Sequence, residues 1–261
     1  MGYRKVNYDK LASTYNHRFE TEKESAVFRN LRNIIKQSNS ISILEVGCGT
    51  GHWLSLIKKE NKKINYLVGL DLSKGMLAKA QKNHPDLSLI QGEATYLPFI
   101  DQIFDLVYCV NAIHHFDDPS LFIREAANIL IPEGTIIIIG SDPREVENSW
   151  YVYKYFHGIY KHDLERFPSW REVYKWLTQF GFHAIALETV EIINEKKSGY
   201  EVFEDPFLKK HMCSQLAILS NKDYEEGLER ICNAIKQAER KSETIIFHST
   251  IHLKAMIAKK Q

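Results

Sequence analysis

Ile41-Ser42-Ile43-Leu44-Glu45-Val46-Gly47-Cys48-Gly49-Thr50-Gly51-His52-Trp53 decides how the rest of the chain reads. A short apolar run ends in a glycine-spaced turn and opens into a helical pattern, which is how a βαβ nucleotide site begins. Gly47, Gly49 and Gly51 allow a tight turn and let a ligand approach the backbone with no Cβ in the way. One βα unit later, Tyr66-Leu67-Val68-Gly69-Leu70 ends in Asp71. A carboxylate at that strand end can accept from both hydroxyls of a ribose. The dinucleotide fingerprint G-x-G-x-x-G does not fit: its last glycine would fall on His52 in one register and on Leu54 in the other.

Composition narrows the choices. The chain has 261 residues, enough for one large core or two small ones, with 34 basic and 33 acidic side chains and a formal net charge of +1. That balance gives no electrostatic footprint for a nucleic acid. Cys48, Cys109, Cys213 and Cys232 show no metal-ligand spacing, so thiols in a reducing cytosol and no metal are expected. The start of the chain carries no apolar leader, and no run approaches the ~20 residues that span a bilayer. A cytoplasmic protein with no membrane partner is the expectation, and the oligomeric state stays open.

Working outward, helix is expected over residues 8–18, where Tyr8, Ala12 and Tyr15 share one face, and over 22–37. Strands follow at 42–46, 66–71, 87–91, 104–110 and 136–139, each but the last followed by a helix or turn. Ser73 is a candidate N-cap, and Asp118-Pro119 reads as the cap and first residue of a helix reaching position 130. Five strands alternating with helices predict an α/β fold, a doubly wound Rossmann-like sheet that binds ligands at its carboxyl edge. Gly47, Asp71, Glu93, Asn111 and Asp142 all fall at that edge. Beyond residue 140 the pattern changes: an aromatic segment from Trp150 to Trp176, a helix over 171–180, strands over 182–193 and 244–257, and an insertion at 194–242. Helices are expected near 208–219 and over 223–240. The chain divides into an N-terminal helical lid (1–40), a cofactor core (41–140) and cap segments (141–181 and 194–242) of one domain, 1–261.

The order E-x-G-x-G-x-G followed by Asp71 resembles the class I S-adenosylmethionine-dependent methyltransferases. Leu97-Pro98-Phe99 and Asn111-Ala112-Ile113-His114-His115-Phe116 resemble the set that contains the ubiquinone, menaquinone and natural-product enzymes. The match is good over residues 40–140. Ile131-Pro132-Glu133-Gly134 departs from that set's Lys-Pro-Gly-Gly, which concerns a turn.

The resemblance implies a mostly parallel sheet of seven strands with an antiparallel last strand, N-terminal helices and a helical cap insertion. It assigns Glu45, Gly47, Cys48, Gly49 and Gly51 to the methionine portion of S-adenosylmethionine, with Trp53 beside them. Asp71 is assigned to the ribose, Leu72 and Met76 to the adenine, and Glu93-Ala94 to the adenine edge, where the family more often has Asp-Ala. Asn111 is placed beside the sulfonium, and Tyr15, in Y-D-x-x-A-x-x-Y, over the cofactor. Tyr15 has an equal reading as a residue that docks its helix.

The implied chemistry is an in-line displacement that leaves S-adenosylhomocysteine, driven largely by positioning. His114, His115 and Asp142 are the candidates for taking a proton from a small-molecule acceptor at N, O or C. Each has a structural reading too: the histidines as loop residues, Asp142 as a turn residue before Pro143. Tyr151, Tyr155 and Tyr153 are candidates for the acceptor pocket in different helical registers. An RNA or protein acceptor, and a module that binds the cofactor without catalysis, are the alternatives. The first is disfavoured by the neutral charge and by Asn111-Ala112-Ile113-His114 standing where an Asn-Pro-Pro-Tyr-like motif would be needed.

Overall fold

The computed structural model describes residues 6, 8–11, 25–60 and 63–261, so the expectations for Ala12 and Tyr15 lie outside the described residues. The elements begin with α1 (Tyr8–Leu11), α2 (Ala26–Ser38), β1 (Ser42–Val46), α3 (His52–Glu60) and β2 (Tyr66–Asp71). Next come α4 (Lys74–Asn83), β3 (Ser88–Gln91), β4 (Phe104–Val110), α5 (Pro119–Ile129) and β5 (Leu130–Gly140). The distal part holds β6 (Ser149–Trp150), α6 (Val152–Tyr155), α7 (Ile159–Arg166), α8 (Trp170–Gln179), β7 (Phe182–Ser198), α9 (Ser214–Ala217), α10 (Asn221–Arg240) and β8 (Ile246–Lys260).

Local chemistry sets several of these starts. The Ser73 hydroxyl accepts from Met76 N to cap α4, and Asp118 accepts from Ser120 N and Leu121 N ahead of Pro119 to cap α5. Ser169 and Glu172 form a reciprocal capping box on α8.

Strands β3-β2-β1-β4-β5 run parallel in that order, and β8 joins β5 antiparallel. Strand β7 pairs antiparallel with β8 on its other side. The two-residue β6 also pairs with β8 and makes an eighth strand, one more than the seven expected from sequence.

Alternate strand residues feed two apolar layers. Leu44, Val46, Val107 and Ile138 meet α5 and α8 on one face, while Ile43, Leu106, Tyr108 and Ile137 meet α2 and α3 on the other. Burial on both faces explains the unbroken apolar runs of β1, β4 and β5.

The pairing of β5 with β8 stops at Gly140↔Lys254. Residues 246–253 of β8 continue past that edge, paired with β7 to Ser198↔Ile246. Eight residues of extended chain carry the β7–β8 ribbon about 25 Å beyond the last β5 pairing. Helices α6, α7, α9 and α10 cover this ribbon with a separate apolar cluster around Phe156, Val202, Leu216, Ile231 and Phe247.

The cap departs from expectation in two places. The helix expected over 208–219 is a 3₁₀ turn (Pro206–Leu208) and the four-residue α9, because Cys213 is extended at φ −136°, ψ 152°. A segment this short has little intrinsic helix stability, so its packing decides the backbone. Tyr151 and Tyr155 are buried in the cap core against Phe247, leaving Trp150 and Tyr153 to face the cavity described below.

Candidate active site

The turn after β1 is built around β2. Gly47 N and Cys48 N both donate to Leu70 O, at 2.7 and 3.0 Å. Gly47 is left-handed at φ 75°, and a Cβ there would sit 2.6 Å from the Ala112 methyl, so both conformation and space demand glycine. Gly49, also left-handed at φ 53°, has open space where a Cβ would be.

The Asp71 carboxylate closes the turn, accepting from Gly49 N at 2.7 Å through Oδ2 and from Ser73 N at 2.9 Å through Oδ1. Burial raises its pKa, with those backbone donors opposing the shift and Asp9 adding to it. Directly beneath, Glu45 is fully buried, and its Oε2 accepts from the Tyr108 hydroxyl at 2.9 Å. Burial pushes the Glu45 carboxyl up to about 8, the Tyr108 hydrogen bond opposing and the charge of Asp71 reinforcing. Glu45 therefore supports the turn from below.

A cavity of about 1140 Å³ opens over this edge. Gly47, Gly49, Asp71, Leu72, Met76, Glu93, Ala94, Asn111, His114 and His115 all line it. Leu72 is exposed and Met76 buried, an outer and an inner apolar wall beside the carboxylate. Five sequence candidates among the described residues do not line it: Glu45, Cys48, Gly51, Trp53 and Asp142. Glu45 and Cys48 are buried under the turn, the Cys48 sulfur against Gly69. Gly51 packs on Leu87 and Ala80, and Asp142 faces away.

Asn111, left-handed at φ 50°, ends β4 by donating its N–H to Ile139 O at 2.8 Å. The 3₁₀ turn Ile113–His115 follows. His114 stacks on Phe167 with centroids 3.9 Å apart, and the His115 ring lies 4.0 Å from that of His114. His115 Nε2 is 2.5 Å from the Tyr8 hydroxyl of α1. The neighbouring Asp9 carboxylate accepts from Ser73 Oγ at 2.7 Å and from Gly75 N at 2.8 Å, which holds its own pKa down. Helix α1 thus touches both the acidic-strand side and the histidine side of the cleft.

Asp142 works through others. Its Oδ1 accepts from Arg144 N and Nη1, both at 3.0 Å, and Arg144 also donates to Phe167 O at 2.8 Å and to Leu164 O. The carboxylate read as a candidate base therefore ties the end of β5 to the segment that presents Phe167 to His114.

Beyond the histidines lies a second cavity of about 190 Å³. Tyr8, Asn111, His114, His115 and Phe167 line both cavities and make up the wall the two share where they meet. Trp53, expected near the cofactor, lines only the smaller one.

Sequence reasoning left out Tyr8 as a site residue, and Asp9, Phe167 and Arg144 altogether. Tyr8-Asp9 stands inside the quoted Y-D-x-x-A-x-x-Y pattern, which was the available signal. No pattern marked Phe167 or Arg144.

The residues present suit S-adenosylmethionine. The cavity has room for a nucleoside with a methionine tail, Gly49 leaves its backbone open, and Asp71 keeps lone pairs free beyond its two backbone donors.

Residues 44–138 match the family model described as a methyltransferase domain. The demethylmenaquinone methyltransferase of Staphylococcus carnosus is 26% identical over 182 residues, spanning 68% of this chain and 74% of that one. Among solved structures, an S-adenosylmethionine-dependent methyltransferase from Archaeoglobus fulgidus superimposes with a TM-score of 0.56 at 22% identity, covering 95% of this chain and 100% of that one. Phosphoethanolamine N-methyltransferase 2 of Haemonchus contortus, solved with S-adenosylmethionine, gives 0.58 at 17% identity over 97% of this chain and 57% of its own. The two structures show the shared fold. Residues 44–138 are a methyltransferase domain of the S-adenosylmethionine-dependent kind, the chain is similar to the quinone and natural-product enzymes, and S-adenosylmethionine is the cofactor the site fits.

Proposed function

We propose that the enzyme methylates a small molecule held in the 190 Å³ cavity, which meets the cofactor cavity at Tyr8, Asn111, His114, His115 and Phe167. The shared wall carries this reading, because a donor and an acceptor in the two cavities meet at those five residues. When bound, S-adenosylmethionine supplies a methyl group already activated on a sulfonium. Asp71 would hold the ribose hydroxyls, Leu72 and Met76 the adenine, and the Gly47–Gly49 turn the methionine portion.

The remaining work falls to positioning and to the acceptor's proton. Phe167, stacked on His114 and braced by Arg144, is held in the lining that the two cavities share. The Tyr8–His115 pair presents a hydroxyl and an imidazole to both cavities. An imidazole is the side chain suited to taking a proton near neutral pH, directly or through the hydroxyl.

Calorimetric titration with S-adenosylmethionine, S-adenosylhomocysteine and NAD tests the first half. Binding in the micromolar range (about −8 kcal/mol) by the two sulfur compounds alone is expected. Transfer of labelled methyl to a small-molecule fraction of an extract tests the second, and label found only in RNA or protein would refute it.

A further inference from the structure

The smaller cavity is lined by carboxylates on its ribbon side, with His114 and His115 opposite. Its floor is one face of the β7–β8 ribbon, where side chains alternate between faces: Glu191, Ile193 and Glu195 from β7, Ser249, Ile251 and Leu253 from β8. Trp150 of β6 pairs with Ser249, which pairs with Glu195, so the indole stands on the same face as the carboxylate row. Asp205, from the cap, contributes a third carboxylate. Among the described residues, no lysine or arginine lines this cavity.

The three carboxylates differ in how they are met. Asp205 accepts from the Tyr151 hydroxyl and from Phe207 N, both at 2.8 Å, and is part of the cap framework. Glu195 is 3.6 Å from Lys197 on its own strand and mostly exposed, so it sits at the rim and Glu191 is the carboxylate the inference rests on. Glu191 has the Ser25 hydroxyl at 3.4 Å and, among the described residues, no cation. Arg166 comes near by donating to Ser214 Oγ, but its charge is matched by Asp163 at 2.9 Å. An acidic floor beside the aromatic faces of Trp150 and Tyr153 is the surroundings an organic ammonium prefers, through charge and through the ring quadrupole. A carboxylate or phenolate acceptor would meet like charge there.

We infer that the acceptor carries a cationic nitrogen, anchored by Glu191 and the Trp150–Tyr153 rings. This rests on the small cavity being the acceptor site. It makes the substrate class an organic amine rather than an acid or an uncharged ring.

The test is calorimetry on protein saturated with S-adenosylhomocysteine, with three probes of similar size: phenethylamine, 2-phenylethanol and 3-phenylpropionate. Phenethylamine should bind at least about tenfold more tightly than the alcohol, and the carboxylate more weakly than either. Glu191→Gln, which keeps the shape and removes the charge, should reduce the amine's advantage to about twofold while S-adenosylhomocysteine still binds as a control for folding. Equal binding of the three probes overturns the inference. So does tighter binding of the carboxylate, no amine binding up to about 10 mM, or an undiminished amine preference in Glu191→Gln. Failure of S-adenosylhomocysteine to bind the unmodified protein would instead strike the methyl-transfer reading beneath it.

Discussion

The Tyr8 hydroxyl and His115 Nε2 stand 2.5 Å apart and join helix α1 to the turn after β4 across the mouth of the cofactor cavity. The contact spans 107 positions of sequence and sits in the wall shared with the acceptor cavity. With the imidazole neutral and accepting at Nε2, its own proton resides on Nδ1. A proton taken up at Nε2, directly or through the Tyr8 hydroxyl, converts the ring to an imidazolium, which then returns the proton to solvent.

Two substitutions separate this role from lid closure. Tyr8→Phe should lower kcat by about tenfold and shift the pH profile, whereas His115→Ala should cost about 100-fold, in the range of a lost general base. Both should keep S-adenosylhomocysteine affinity within about twofold, measured by calorimetry. Unchanged kcat at every pH in both variants would leave the pair as a latch.

Asp71 carries two duties, so its removal should be costly. Its carboxylate holds Gly49 N and Ser73 N while being buried enough to have its pKa raised. Asp71→Ala takes away the ribose acceptor and leaves two loop N–H groups unmet, each worth on the order of 1–3 kcal/mol. Cofactor affinity should fall by about 100-fold or more. Asp71→Asn keeps one acceptor oxygen and should fall less, and equal losses in the two variants would contradict this division of labour.

Glu45 makes the ligand-free protein pH-sensitive. Burial raises its pKa from 4.5 to about 8, so the folded state holds a proton that the unfolded chain releases above its ordinary value. Between those two values the folded state binds more protons than the unfolded one, and stability must decline as pH rises. Above about 8 this contribution levels off. Urea melts across the window should show the decline in the parent protein and a flatter line in Glu45→Gln. A parent whose stability rises over the same window would show that Glu45 ionises easily in the fold.

The parts readable in sequence are those set by local spacing. Gly47 and Asp71 could be read because a left-handed glycine turn that leaves β1 and a carboxylate that ends β2 depend on positions within one βαβ unit. The caps at Ser73 and Asp118 were legible for the same reason. Residues whose role depends on a distant partner were not. Tyr8 and Tyr15 share a helical face in the sequence, and only the placement of α1 against His115 singles out Tyr8. Tyr151 and Tyr155 went into the cap core while Trp150 and Tyr153 faced the cavity, a choice made by Phe247 on a strand almost 100 residues later. Glu191 looked like any charged residue on a strand, because the helices that enclose its face come from both before and after it in the chain.

The cap's own stability can be tested at its tightest crossing. A Cβ at Gly227 of α10 would lie 2.2 Å from two atoms of the Phe156 ring, and Phe156 is among the largest fully buried side chains. The ring has no room to yield, so Gly227→Ala must push α10 away from Phe156, against a helix propensity gain of about 1 kcal/mol. Overpacking of this kind costs typically 1–3 kcal/mol, so a net loss of up to about 2 kcal/mol is expected. Because the apolar cluster of the cap is separate from the two layers around the parallel sheet, S-adenosylhomocysteine affinity should change little while acceptor binding weakens. Thermal melts with and without S-adenosylhomocysteine, together with the phenethylamine titration, would read both effects. A variant more stable than its parent would mean that the helix crossing is looser than 2.2 Å implies.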